Sequence, residues 1–324
     1  MSMQNTDTKK VSIKKTIASI TVLALCSATV AFVLLIAPPN NFKEPSTVEI
    51  EEGKSLSDIA EKMHEEHIIR SPFWFRAFVI LYQGERRVPA GQYYFNSPEP
   101  VYQIARRVSD GDFGMKPLRA TIIEGWNLYH IADYLEERFV MFDRDLFFSI
   151  VKEGYLAPDT YFFFPLSTTE QLVEKMTKNF DLKMGKIKEE MVIDRPLEDI
   201  LIMASILEAE ANTVESKRKV SDILWRRLEA DMPLQVDATF IYINNKNTYQ
   251  LTLDDLQIDN PYNTYKFTGL PPTPINNPSI NAIKAAIDPL ENPYWYFLSD
   301  LSGNMYYGRD FDEHQYNRAN YLRR

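Results

Sequence analysis

The stretch LEDILIMASILEAEAN, Leu197–Asn212, decides how this chain is read. From Ile200 to Leu207 it is apolar almost all round, interrupted only by Ser205. A helix of that pattern is buried on most sides. Its end carries two carboxylates, Glu208 and Glu210. Residues two apart on a helix lie about 200° apart, so these two point to opposite sides and cannot form a facing pair. Glu210 continues the Met203–Ile206 stripe, and Glu208 continues the Leu201–Ala204 line. Either would stand at the edge of an apolar wall, where a carboxyl has a raised pKa and can act as a general acid. Spacing alone does not choose between them.

Downstream, LQVDATFIY (Leu234–Tyr242) sets Gln235, Asp237 and Thr239 at alternating positions. That pattern predicts an extended segment with polar groups on one side. PYNTYKFTGLPPTPINNPS (Pro261–Ser279) is dense in Asn, Tyr, Gly and Pro. It reads as a long ordered loop, and such loops in a compact domain are usually functional. Asn263 and Tyr265 offer amide and phenol groups that could hydrogen-bond a sugar. Apolar periodicity predicts helices at 128–138, 143–153, 169–180, 197–212, 216–230 and 281–287. YWYFL (Tyr294–Leu298) reads as a strand that Met305–Tyr307 can join. Residues 117–324 are thus one helix-rich α+β domain.

Upstream, a strand-Gly-helix pattern occurs twice: VEIEEGKSLSDIAEKMHEEHII (Val48–Ile69) and ATIIEGWNLYHIADYLEERFV (Ala120–Val140). Both copies place apolar residues three and four apart after the glycine, and Ser55 and Asn127 are the expected N-caps. With AGQYYF (Ala90–Phe95) as a strand and Val101–Val108 as a helix, residues 46–116 form a small β-α-(α)-β-α module. Its first unit resembles a lysin motif, a small glycan-binding domain.

Residues 1–45 read as a cytoplasmic tail, a transmembrane anchor and a linker. Thr16–Ala37 is uncharged and mostly apolar, about the length that spans a hydrocarbon core of roughly 30 Å as a helix. Lys9, Lys10, Lys14 and Lys15 precede it, and Pro38-Pro39 end it. The positive-inside rule then places the N-terminus in the cytoplasm and the rest outside the inner membrane. The apolar run is too long for a cleaved signal peptide. Leu25 stands before Cys26 where a lipoprotein anchor wants a small residue.

The net charge is −9, with no long basic stripe in the exported part, which argues against nucleic acid as a partner. The single cysteine lies in the apolar run, so the exported part has neither disulfides nor a thiolate zinc site. The four histidines lack metal-ligand spacing, so no cofactor is expected. The 18 tyrosines supply flat faces with polar tips, suited to core packing and to sugar stacking.

Taken in order, ASILEAEA, LQVDATFIY, YNTY and TGLPPTPINNPS resemble the endolytic murein transglycosylases of the YceG-like (MltG) type, as does EGYLAPDTYFF (Glu153–Phe163). The resemblance runs from about Val48 to Asn317. It implies a lyase that cleaves the β-1,4 bond between MurNAc and GlcNAc within nascent peptidoglycan strands, leaving 1,6-anhydro-MurNAc ends. It puts the catalytic role, acid and then base, on Glu210, and it puts Glu208, Gln235, Asp237, Thr239, Asn263 and Tyr265 along the substrate cleft. The implied partners are glycan strands and the membrane, with penicillin-binding proteins and the elongation or division machinery as candidates. The chain departs from the family pattern at Ala238, where Pro is usual, at Arg226 (Asn) and at Thr273 (Gly). It also has Gly303-Asn304-Met305 where Gly-Thr-His is common. Two other readings stay open. One is a lysozyme-type muramidase using Asp237 as second carboxylate, and the other is a non-enzymatic glycan-binding scaffold.

Overall fold

The computed structural model describes residues 19–27, 29, 30, 32, 33, 35–83, 88–244, 246 and 250–322. The chain divides into two compact units at Lys116/Pro117.

The first unit pairs β1 (Ser46–Ile50) antiparallel with β2 (Gly91–Phe95), Val48 opposite Tyr93. Helices α1 (Leu56–Glu65) and α2 (Pro72–Gln83) lie between them in sequence, and α3 (Val101–Asp110) follows. Ser55 caps α1 in a reciprocal box with Asp58: each side chain takes the other's backbone N–H, which satisfies two donors the first turn would leave unpaired. Val48, Ile59, Met63, Phe75, Val79, Tyr93, Phe95 and Ile104 fill the core.

Before β1, the described residues between 19 and 36 are helical. Among the described residues, no helix is long and apolar enough to cross a membrane. Parts of the expected anchor (16–18, 28, 31 and 34) and the basic residues before it lie outside the described residues.

The second unit holds two hydrophobic clusters. In the first, β3 (Leu118–Ile122) pairs antiparallel with β4 (Asp159–Phe163), Ala120 opposite Tyr161. Helices α4 (Leu128–Glu136), α5 (Arg144–Ile150) and the first turns of α6 (Thr169–Glu190) cover it through Ile131, Leu135, Phe147 and Met176. The Asn127 side chain accepts from the His130 N–H at 3.0 Å and starts α4. In the second cluster, α7 (Leu197–Glu210) is buried between α8 (Val214–Glu229), α10 (Ile280–Ile287) and the end of α6. An antiparallel hairpin, β5 (Tyr296–Ser299) with β6 (Met305–Gly308), and α11 (Phe311–Tyr321) complete the unit.

Three segments depart from the sequence expectation. Helix α6, expected to end at Phe180, runs on to Glu190, because Met184 and Ile187 continue its buried stripe into the second cluster. Helix α5 ends at Ile150, not Glu153. The chain turns at Gly154, where φ is +87° and a Cβ would stand 2.8 Å from the Pro274 ring, so only glycine suits the position. The stretch from Leu234 to Tyr242 is not an extended segment. It contains a 3-10 helix (Asp237–Phe240) followed by the short helix α9 (Ile241–Asn244). Gln235 breaks the extended run with φ +52°. Thr264 then takes the hydrogen bonds a neighbouring strand would have made: its carbonyl accepts from Gln235 N–H, and its hydroxyl accepts from Val236 N–H, each at 3.0 Å.

Candidate active site

Ser205, the one polar residue in the buried run from Ile200 to Leu207, fastens the long loop to the helix. Its hydroxyl donates to Ile202 O at 2.7 Å and accepts from the Ile275 N–H at 3.0 Å. The Asn276 amide donates to Ser205 O at 2.8 Å. The apolar helix and the Pro-rich loop therefore form one rigid support, and the helix ends on Glu210.

Burial pushes the Glu210 carboxyl up to about 7. The Asp237 carboxylate adds to the rise, and a hydrogen bond from the Ala238 backbone N–H opposes it. The position at the helix C-terminus, the negative end of its dipole, acts in the same direction as burial. Asp237 opens the 3-10 helix, and the Tyr265 hydroxyl donates to it at 2.6 Å. Burial, and then Asp237, hold the Tyr265 phenol above its ordinary range, so it stays a donor. The backbone behind is tied by buried Arg227, which donates to Leu234 O and to Trp295 O, each at 2.9 Å.

Glu208 faces elsewhere. Lys217 lies 2.8 Å from one carboxylate oxygen, and the Ser279 N–H and hydroxyl donate to the other. Ser279 in turn caps α10. With both oxygens so occupied, Glu208 ties α7 to α8 and to the start of α10. The choice that helical spacing leaves open is made by surroundings: Glu208 has a cation and donors, while Glu210 has burial and a neighbouring negative charge.

Of the other sequence candidates, Asn263 is fully buried, and its side-chain amide is spent within the loop on Leu256 O, Ile258 O and the Tyr265 N–H. Thr239 is buried and donates to Val236 O at 3.1 Å. Gln235 is exposed. The structure thus brings Glu210, Asp237 and Tyr265 together, and it sets Glu208, Asn263 and Thr239 in the scaffold behind them.

Sequence reasoning missed Glu153, which it placed on a helix. The side chain is buried, and burial pushes it up to about 7 against the pull of its hydrogen bonds. It accepts from the Leu128 N–H at 3.0 Å, from the Asn277 amide at 2.8 Å and from the Tyr242 hydroxyl. Asn277 also accepts from the Gly154 and Leu156 N–H groups and donates to Trp126 O. The Glu-Gly pair before a strand was the available signal, since a glycine that ends a helix leaves the residue before it free to turn inward. Among the described residues, no group of three or more His, Cys, Asp or Glu could hold a metal ion.

The sequence pattern of the YceG-like family matches residues 48–320, which takes in α7, the 3-10 segment and the whole Pro-rich loop. The chain belongs to the YceG-like family. This YceG-like chain is 30% identical over 310 residues to the endolytic murein transglycosylase of Bacillus subtilis (strain 168), covering 86% of each. It is 28% identical over 330 residues to the endolytic murein transglycosylase of Streptococcus pneumoniae (strain ATCC BAA-255 / R6), and it spans 59% of that protein's length. Among solved structures, a yceG-like protein from Listeria monocytogenes matches with TM-score 0.52 and 31% identity, covering 85% of this chain and 99% of that one. In this arrangement the Glu210 carboxyl, pushed up to about 7, lies within the field of the Asp237 carboxylate. That pairing can deliver a proton to a leaving oxygen and favour the positive charge that develops as the bond breaks.

Proposed function

We propose that this YceG-like protein is an endolytic murein transglycosylase in which Glu210 moves the proton. The observation that carries the residue assignment is the contrast between the two glutamates of α7. Glu210 is desolvated and pushed up to about 7, whereas Glu208 is held in a buried ion pair with Lys217.

In the reaction, Glu210 gives its proton to the glycosidic oxygen between MurNAc and GlcNAc. The C1–O4 bond breaks, and its electron pair leaves with the GlcNAc oxygen. The oxocarbenium-like centre at C1 lies in the field of the Asp237 carboxylate. The MurNAc C6 hydroxyl attacks C1, and Glu210, now ionised, takes the hydroxyl proton. The 1,6-anhydro ring closes with no water consumed, and Glu210 is reset for another cut within the strand.

Asp237 is near enough to raise the Glu210 pKa, so it is also the residue that a lysozyme-type muramidase would use as its second carboxylate. The products separate the two. Mass spectrometry of strands cut by wild type and by E210Q decides: anhydro ends from wild type and none from E210Q support the proposal. Reducing ends from wild type would convert it to a hydrolase.

The 16–37 stretch is proposed as a single membrane anchor, with the N-terminus cytoplasmic and both units on the outer side of the inner membrane. There the enzyme meets nascent glycan strands, with penicillin-binding proteins and the elongation or division machinery as proposed partners. The βααβ order of the first unit, with its antiparallel strand pair, supports a lysin-motif-like module that holds the strand for cutting.

A further inference from the structure

Helix α2 reads PFWFRAFVILYQ and carries no acidic residue. Phe75 and Val79 are buried in the first unit's core. Apart from Arg76 and Gln83 the helix is apolar, yet Phe73 is 62% exposed, Ile80 50% and Leu81 73%. Trp74, Phe78 and Tyr82 stand four residues apart and so share a face of the helix. Their rings follow one another at 6.1 and 6.2 Å. Phe78 also reaches Tyr102 of α3 at 6.3 Å, edge-on.

This aromatic stripe joins the N-terminal apolar helix. The Phe32 ring meets Trp74 edge-on at 5.1 Å, and Ile36 packs against the first unit's core. Upstream, Ile20, Val22, Leu23 and Leu25 are all exposed. Whatever non-aqueous surroundings cover that helix therefore reach α2 without a break. Trp and Tyr mixed with Phe, Leu and Ile, with Arg76 the only charge on the helix, are the side chains that settle at a lipid-water boundary. Neighbouring α1, by contrast, exposes Asp58, Glu61 and Glu65, which anionic headgroups would repel.

We propose that α2 is a second membrane contact, lying in the headgroup region of the bilayer with Phe73, Ile80 and Leu81 turned to lipid. It would fix the first unit against the membrane surface. The proposal rests on reading the N-terminal stretch as an anchor.

The test uses the full chain in vesicles of phosphatidylcholine and phosphatidylglycerol, with doxyl-labelled phosphatidylcholine as quencher. Cys26 is the only cysteine, so a bimane on the wild-type protein reports the anchor. L81C and E61C, each in a C26S background, report α2 and α1; both positions are exposed, so the labels leave the core intact. The expected result is that the L81C probe is quenched to within about twofold of the Cys26 probe while the E61C probe stays bright. A quenched Cys26 probe with an unquenched L81C probe overturns the inference and leaves the anchor standing. If neither is quenched, both fall. An L81C probe that lipid does not quench, but that cross-links between chains, assigns the face to a second copy and also overturns the proposal.

Discussion

The Tyr265 hydroxyl stands 2.6 Å from a carboxylate oxygen of Asp237, and that carboxylate in turn raises the pKa of Glu210. A residue of the Pro-rich loop thus acts on the end of α7 through a charge on a third element. Burial is the largest cause of the Glu210 rise and Asp237 the second. As the proposed acid, Glu210 must be protonated to act, so activity is expected to fall as pH rises through about 7. D237N removes the charge and lets Glu210 ionise sooner, so the falling limb of kcat/KM moves to lower pH by up to about one unit. Y265F leaves the charge less dispersed and moves the limb the other way. Limbs that coincide in all three proteins would show that Asp237 does not act on Glu210.

Glu210 also predicts a stability change of definite sign. Its folded pKa lies above its unfolded value, so the folded state is favoured at low pH. That advantage is lost as pH rises from about 4.5 through about 7. Replacing it with a group that never ionises removes the loss. E210Q should match wild type near pH 4 and exceed it by about 1–3 kcal/mol near pH 8. Melting curves at the two pH values check this, and a variant less stable than wild type at both would mean the carboxyl makes contacts that outweigh its desolvation.

Lys217 and Glu208 form a buried pair at 2.8 Å that also holds Ser279 at the start of α10. Removing the cation alone strands the carboxylate, so K217M should lose about 3–5 kcal/mol. The double variant K217M/E208Q no longer buries an unpaired charge and should recover part of that loss. Denaturant titration of the two variants measures it; equal losses would show that the charge is not what matters.

Glu153 accepts three hydrogen bonds, two on one oxygen and the third, from the Asn277 amide, on the other. Glutamine keeps one acceptor oxygen but points an NH2 at another NH2. E153Q should therefore destabilise by about 1–3 kcal/mol, although it removes a desolvated carboxyl. A gain in melting temperature above pH 7 would instead mean that the desolvation cost of Glu153 outweighs its bonds.

Local patterns read well where one face or one cap decides the structure. The caps at Ser55 and Asn127 are present, and the hairpin of β5 and β6 forms where aromatic runs predicted it. Within α7, Ile200 to Leu207 are all buried, as their composition requires. Reading failed where a distant segment supplies the backbone's hydrogen bonds. Thr264 takes Gln235 and Val236 out of strand geometry from 28 residues or more away. Glu153 is drawn inward by Asn277, 124 residues on.

The sequence by itself determined that α7 ends in two glutamates pointing opposite ways, because the helical repeat allows nothing else. It could not tell them apart chemically, because the turn of a helix says nothing about what stands against each side. Only the tertiary structure put Lys217 and Ser279 beside Glu208 and left Glu210 in a desolvated place next to Asp237. A carboxyl's pKa is set by the solvent it loses and the charges it meets, and both come from chain far away in sequence.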